Sequence, residues 1–120
     1  MTKELNDFLA DRSSLTKRQI ECLSLYTTAQ RSVRGGANDE RPYAIAGVSE
    51  GAYYRVVGQA KNNVNQAIYT ILLSTRMGII DATDVQRLLN LVGRIPQETS
   101  DSSNEVISLI EALVSKIVML

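Results

Sequence analysis

Residues 43–64, with the sequence YAIAGVSEGAYYRVVGQAKNNV, carry the clearest structural signal in this chain. Gly47 permits a tight turn, and Ser49 is a residue type that caps helix N-termini. From Tyr53 onward, apolar residues recur every three or four positions, as on one face of a helix. The expected inward residues are Tyr53, Val57, Ala60, Val64, Ile68 and Ile71. The pattern predicts a helix that runs to about Thr75 and is covered along its length by other helices.

The segments before this stretch are also expected to be helical. A short helix near residues 2–10 precedes a second helix, which begins with Thr16 as N-cap and Gln19 in the place of a capping box. Residues 34–42, RGGANDERP, are expected to form a loop, because paired glycines and a proline oppose helix propagation. Cys22 falls in an apolar-periodic run of the second helix, where a core position is favoured over a reactive thiol.

The segments after the long helix continue the helical pattern, and no segment requires a strand. Gly78 is expected to end the long helix, and Asp81 to cap the next one, which Gly93 and Pro96 stop. We therefore expect an all-α fold.

A final helix follows a polar linker at residues 96–104, and its apolar residues recur at spacings of four and three. This spacing is typical of a coiled-coil seam. The predicted dimerisation residues are Val106, Ile110, Leu113, Ile117 and Leu120. The apolar face is wider than a two-stranded zipper needs, so the helix either folds back over its own domain or forms an interface with a second copy. Self-association is favoured, and we expect a homodimer.

The composition excludes several kinds of site. The chain has no histidine and one cysteine, so one chain cannot form a Ser-His-Asp triad, a Cys-His pair or a structural zinc site. We therefore expect no catalytic residues, no metal and no cofactor, and the chain is not expected to be an enzyme.

The charges balance overall, with 13 basic and 13 acidic residues, but they are distributed unevenly. Residues 12–94 hold eleven bases and six acids, a net charge of +5, whereas both flanks are acidic. Such asymmetry indicates a face that binds a polyanion, although charge on solvated helix faces alone could produce it.

The location of the protein is also an expectation from sequence. The first eight residues contain acids where a signal peptide would have an apolar core, and residues 106–120 are too short to span a bilayer. A single thiol fits a reducing compartment. We expect a soluble, cytoplasmic protein with no membrane partner.

Two phrases carry a resemblance to a known family. Residues 15–25, LTKRQIECLSL, resemble the opening helix of the tetrahelical helix-turn-helix domains of LuxR-type regulators and of region four of sigma factors, where an L-T-x-R/K-Q/E-x-E-x-L phrase recurs. Residues 47–55, GVSEGAYYR, resemble the turn and the start of their recognition helix. The resemblance covers about residues 15–64. It implies a helix-turn-helix DNA-binding domain, which we place at residues 1–95. The dimerisation helix at residues 105–120 is expected from its apolar spacing alone.

The resemblance implies that the helix opened by Ser49 enters the major groove of DNA. On chemical grounds, Arg55 can form a paired contact with guanine, and Tyr54 can touch a phosphate or a thymine methyl group. Basic side chains on either side would hold the phosphate backbone. The predicted DNA-binding residues are Lys17, Arg18, Ser49, Glu50, Gly51, Tyr54, Arg55, Gly58 and Lys61.

The function expected from these observations is a small, dimeric, sequence-specific transcriptional regulator that binds double-stranded DNA. The alternative from another class is a helical protein-protein interaction module or adaptor. In that alternative, the apolar tail docks a protein partner and the basic middle of the chain is merely solvated.

Overall fold

The structure, a computed structural model, describes residues 2–35, 41–95 and 103–119. The six helices of this part are α1 (Thr2–Arg12), α2 (Lys17–Gly35), α3 (Pro42–Ala46), α4 (Glu50–Arg76), α5 (Ala82–Arg94) and α6 (Ser103–Ile117). No strand occurs among the described residues, where the only β-type pairing is an isolated bridge between Ile80 and Val118. The expected all-α fold is confirmed for this part of the chain. None of its helices combines the length and apolarity that crossing a bilayer requires.

The chain divides into two compact units. The central unit comprises Ser14–Ala67, and the terminal unit comprises Met1–Ser13 together with Ile68–Leu120. Helix α4 begins in the central unit and ends in the terminal unit. The segment that carries the helix-turn-helix resemblance lies entirely within the central unit.

The predicted boundaries divide the chain differently. The sequence analysis separated the C-terminal helix from residues 1–95, whereas α6 packs against α1 and α5 inside the terminal unit. Most of the predicted linker, residues 96–102, lies outside the described residues.

The core of the central unit forms where α2, α3 and α4 meet. Its buried residues are Cys22, Ala46, Tyr53 and Val57. Partly buried neighbours complete it: Leu25, Tyr26, Tyr43, Val48 and Val56. Cys22 is completely buried, which confirms its expected core position.

Local sequence signals set the helix starts as expected. The backbone amide of Thr16 donates to Oε1 of Gln19 at 3.1 Å, and the amide of Gln19 donates to Oγ1 of Thr16 at 3.1 Å. This reciprocal pair is the capping box, and it confirms the predicted start of α2. The carboxylate of Asp81 accepts from the amides of Thr83 and Asp84 at 2.8 and 3.1 Å, which confirms the predicted cap of α5.

The predicted loop at residues 34–42 is wrong at both of its ends. Helix α2 continues to Gly35, and α3 begins at Pro42, while residues 36–40 lie outside the described residues. Proline occupies the first position of α3, where its missing N–H leaves no hydrogen bond unmade. Arg41 before it is extended, as the residue preceding a proline prefers to be. Proline therefore starts a helix here rather than ending one.

The expectation that α4 is covered along its length is also wrong. Tyr53, Val57 and Ala60 are buried, whereas the later members of the same stripe are exposed. These exposed residues are Val64 at 38%, Ile68 at 51% and Ile71 at 41% of their surface. The first turn of α2 lies beside Asn63, close to the end of the central unit.

The terminal unit is built around α6. Leu5, Ile110 and Ile117 are buried there, and α6 packs against both α1 and α5. Asp84 is also buried, and its carboxylate lies 3.3 Å from Nη1 of Arg87 and 3.9 Å from Nζ of Lys116 on α6. The positive charges of Arg87 and Lys116 compensate the negative charge of the buried Asp84.

The predicted dimerisation seam contributes to this core. Ile110 and Ile117 are 3% and 6% exposed within a single chain, and Val106 and Leu113 are half-buried. Leu120 lies outside the described residues. The burial of Ile110 and Ile117 therefore fits the alternative in which the helix folds back over its own chain.

The hydroxyl group of Tyr53 provides a test of the central core. Tyr53 is 1% exposed, and no hydrogen-bond partner for its hydroxyl lies within the described part of the chain. Because an unpaired buried hydroxyl carries a desolvation cost, Tyr53→Phe should leave the free energy of unfolding unchanged or raise it by up to about 1 kcal/mol. Tyr53→Ala should lower it by about 3–5 kcal/mol, because it opens a cavity. Urea unfolding measures both, and a loss above about 1 kcal/mol for Tyr53→Phe would contradict the unpaired state.

Candidate nucleic-acid interface

The candidate site begins at the turn between α3 and α4. Gly47 adopts a φ of 73° and a ψ of 28°, in the left-handed region that glycine enters without steric cost. Its amide donates to the carbonyl of Ala44 at 3.1 Å, and the amide of Val48 donates to the carbonyl of Tyr43 at 3.1 Å. Val48 then packs against the core. The predicted turn is confirmed, and it sets the point where α4 begins.

The first turn of α4 is capped by Ser49, whose Oγ accepts a hydrogen bond from the amide of Ala52 at 3.2 Å. Glu50 supplies a negative charge at the positive end of the helix dipole. The predicted capping role of Ser49 is thereby confirmed. Its hydroxyl is engaged by the helix itself, so the side chain that fixes the helix start is already in place before any ligand binds.

Burial on one side of α4 leaves the opposite side open. Tyr53 and Val57 hold the helix on the core, so Tyr54 and Arg55, which lie on the opposite side of the helix, point away from it. Seven of the nine predicted DNA-binding residues are exposed on this helix or its cap: Ser49, Glu50, Gly51, Tyr54, Arg55, Gly58 and Lys61. A helix beginning with polar side chains on an open face can reach a polar ligand without rearrangement of the core.

Two glycines flatten this face. A methyl group added at Gly51 or Gly58 would meet no atom within 4 Å, so packing within the chain does not require glycine at either position. Tyr54 lies between them and is 53% exposed, with its ring edge against the ring of Tyr53 at 5.0 Å between centroids. The buried tyrosine thus supports the exposed one. On this face the side chains of Tyr54 and Arg55 project beside the backbone at two glycines.

The remaining basic residues of the predicted site also make contacts within the chain. Nη1 of Arg18 donates to the carbonyl of Ala46 at 3.1 Å, which ties α2 to the end of α3, and it lies 3.7 Å from Glu21. Nζ of Lys61 lies 4.1 Å from the ring centroid of Tyr26. The contacts of Arg18 with Ala46 and of Lys61 with Tyr26 join positions that are far apart in sequence, and no local sequence pattern predicts them. Lys17 is exposed at the start of α2.

Arg41 is a further exposed base close to this surface. Its Nη1 donates to the hydroxyl of Tyr43 at 2.7 Å. This hydrogen bond raises the pKa of the guanidinium, a group that is charged at physiological pH even without it. The sequence analysis did not include Arg41 in the DNA-binding set, because charged loop residues are common for solubility alone.

Asn63 has a structural role that the sequence analysis did not identify. Its Nδ2 donates to the carbonyl of Ser14 at 2.8 Å and to Oε1 of Gln19 at 3.3 Å, while its Oδ1 accepts from the hydroxyl of Ser14 at 2.7 Å. Asn63 therefore fixes α4 against the capping box of α2. The neighbouring Asn62 is exposed.

The two units differ in charge. The central unit holds seven basic and four acidic residues, a net charge of +3, and the terminal unit holds six basic and nine acidic residues, a net charge of −3. Burial of Tyr53 raises the pKa of its phenol, a group that is neutral at physiological pH even without this shift. The exposed face of α4 thus belongs to the basic unit of a neutral chain.

The terminal unit contains a separate cavity of about 410 Å³ between α1 and α6. It is lined by Phe8, Leu9, Arg12, Ser13, Ile110, Glu111, Val114 and Ser115. Its polar side chains are all exposed, and Arg12 stacks on the ring of Phe8 at 4.0 Å. The cavity therefore lacks a buried polar group that would orient a ligand. Within the described residues, no three acidic or cysteine side chains are grouped as metal ligands would be.

Comparison with protein families, curated proteins and solved structures finds no match to this chain. The assignment of a function therefore rests on the residues and the geometry described above.

The contact between Asn63 and α2 can be tested by a substitution that replaces the side-chain amide with a carboxylate. Asn63→Asp replaces the donating amide by an oxygen that faces the carbonyl of Ser14 and Oε1 of Gln19. We expect the free energy of unfolding to fall by about 1–3 kcal/mol, because two acceptors lose their donor and meet a negative charge. Asn62→Asp introduces the same charge at the adjacent exposed position and should change it by less than about 0.5 kcal/mol. Equal effects in urea unfolding would contradict the structural role.

Proposed function

We propose that this protein binds double-stranded DNA through the N-terminal half of α4, as a sequence-specific transcriptional regulator. The observation that carries the proposal is the exposed start of α4, which follows a tight turn after a short helix and projects Glu50, Tyr54 and Arg55 away from the core. In helix-turn-helix proteins, residues near the N-terminus of the second helix contact base edges.

The chemistry of the face supports a division of roles. Arg55 can donate two hydrogen bonds to the acceptors of a guanine, which distinguishes that base pair from the others. Tyr54 can contact a phosphate oxygen or a thymine methyl group beside it. The open space at Gly51 and Gly58 would let the DNA backbone approach α4 closely.

Affinity would come from the other bases of the central unit. Lys17 is exposed at the start of α2, and the side chain of Arg18 is 51% exposed despite its bond to α3. Lys61 stacks on Tyr26, which holds its charge in a defined position on α4. Cations fixed in place lose less conformational freedom when they bind phosphates. The net charge of +3 on this unit favours the approach of a polyanion.

The expected alternative, a protein-protein interaction module, is supported by a different part of the chain. Large apolar side chains are exposed on α4 from Ile68 to Leu73, within the terminal unit. Such surfaces mark contacts with other macromolecules. The two functions do not exclude each other, because they use different residues.

A binding titration at two salt concentrations tests the DNA proposal. If about four phosphates are contacted, affinity for random duplex DNA should fall by about 100-fold between 50 and 200 mM salt. The absence of binding at the lower salt concentration would refute the proposal.

Specific contact by Arg55 is tested on a preferred sequence selected from a random pool. Arg55→Ala should weaken binding to that sequence by about 1–3 kcal/mol and flatten the preference at one base pair. Arg94→Ala removes the same charge from an exposed position of α5 and should have little effect. Equal losses in the two variants would mean that Arg55 contributes only charge.

A further inference from the structure

Arg41, which lies immediately before α3, has a fixed backbone conformation. Its backbone is extended, with a φ of −83° and a ψ of 131°, as the proline that follows it favours. Its carbonyl accepts hydrogen bonds from the amides of Ala44 and Ile45 at 3.0 and 3.3 Å. The first turn of α3 therefore sets the point from which the side chain of Arg41 projects.

The side chain of Arg41 is fixed as well. Its Nη1 donates to the hydroxyl of Tyr43 at 2.7 Å. The ring of Tyr43 packs against the core, with its centroid 6.4 Å from that of the buried Tyr53. Tyr53 also lies against the ring of Tyr54. The same buried ring thus supports the guanidinium, through Tyr43, and the exposed tyrosine on the open face of α4.

The charge of Arg41 is available to a ligand. Arg41 is exposed, and no ion pair joins it to a carboxylate of the described residues, whereas Arg18 lies 3.7 Å from Glu21. The hydroxyl of Tyr43 raises the pKa of the Arg41 guanidinium most, and the negative charge of Glu50 raises it further. Arg41 therefore lies within electrostatic range of the first turn of α4, where it offsets a charge that would repel phosphates.

We propose that Arg41 binds a backbone phosphate of DNA and that Tyr43 is the residue that positions it. This inference rests on the proposed function, since it assigns a further contact to the same DNA-binding surface. A cation that is held in place before binding loses less conformational freedom on contact with a phosphate than a free side chain does. The guanidinium carries five N–H donors, so one hydrogen bond to the tyrosine leaves donors for the phosphate oxygens.

A phosphate is a better target for Arg41 than a base edge. Arg41 lies outside α4, and α4 is the element that enters the major groove in the proposed complex. Contacts with the sugar-phosphate backbone position a protein on DNA without reading the sequence. Loss of Arg41 should therefore weaken binding to all sequences alike, in contrast to loss of Arg55.

Titration of the full chain with random-sequence duplex DNA at about 50 and 200 mM salt tests the contact. Loss of one of about four phosphate contacts should reduce the ratio of the two affinities from about 100-fold to about 30-fold. We expect this reduction for Arg41→Ala, with the same loss of affinity on a selected sequence as on random DNA. Arg94→Ala removes the same charge from an exposed position of α5 and should leave the ratio unchanged. If circular dichroism shows that Arg41→Ala does not fold, Arg41→Gln should give the same reduction.

The positioning role of Tyr43 has a separate readout. Tyr43→Phe keeps the ring and removes the hydroxyl, so the guanidinium of Arg41 keeps its charge and loses its anchor. We expect the affinity to fall by about 2- to 10-fold with an unchanged salt ratio, since the number of phosphate contacts stays the same. In the Arg41→Ala background, Tyr43→Phe should have no further effect. Tyr69→Phe removes a hydroxyl from a tyrosine that is 70% exposed in the terminal unit, and it should leave the affinity unchanged.

The outcomes separate this inference from the proposed function. A wild-type chain that binds no DNA at the lower salt concentration refutes both. If the wild type binds, an Arg41→Ala variant that keeps the wild-type salt ratio, or that changes the preference at one base pair, overturns the phosphate contact alone. Equal effects of Arg41→Ala and Arg94→Ala overturn it too, because Arg41 would then contribute only net charge. Additive losses from Arg41→Ala and Tyr43→Phe would overturn the positioning role.

Discussion

The burial of Tyr53 against Cys22 and Ala46 determines how α4 is presented. One helix face cannot be held in a core without turning the opposite face outward, so the position of Tyr53 orients Tyr54 and Arg55 toward solvent. Cys22 is small enough to accept a large ring beside it, and both side chains are almost completely excluded from water. The candidate DNA-binding face is therefore a consequence of core packing. The turn at Gly47 also contributes to this orientation, because it determines the residue at which α4 begins.

A second constraint acts along the axis of α4. Asn63 joins α4 to the first turn of α2 through hydrogen bonds with Ser14 and Gln19, and this contact fixes where the cover provided by α2 stops. The apolar spacing of α4 nevertheless continues through Ile68 and Ile71. One uninterrupted stripe thus begins in the core of the central unit and continues as an exposed surface.

The features predictable from sequence were those set by neighbours in the chain. Thr16, Ser49 and Asp81 act as helix caps because their side chains bond amides two or three residues away. The exposure of Ile68 could not be predicted, because periodicity identifies a face without showing what lies against it. The bond from Arg18 to Ala46 and the stacking of Lys61 on Tyr26 join distant positions and leave no local pattern. Pro42 was misjudged because proline both ends helices and begins them, and only its position at the first turn distinguishes the two. At the candidate site, the exposure of Arg55 followed from the predicted inward face, whereas the DNA contact itself remains a proposal.

Helix α4 carries a charged N-terminal part and an apolar C-terminal part, and their interactions depend differently on the salt concentration. Apart from Arg76, its charges lie in the first twelve residues; uncharged polar residues dominate positions 62–66, and large apolar residues follow from Ile68 to Leu73. Binding of basic side chains to phosphates weakens as the salt concentration rises, because the release of condensed counterions into a more concentrated solution is less favourable. Burial of apolar surface is not screened in this way, and excluded salts such as sulfate strengthen it. An ionic-strength series therefore acts on the two halves of one helix in opposite directions. If the N-terminal half of α4 binds DNA as proposed, a rise in ionic strength should weaken that binding without weakening a contact made through the apolar residues of the C-terminal half.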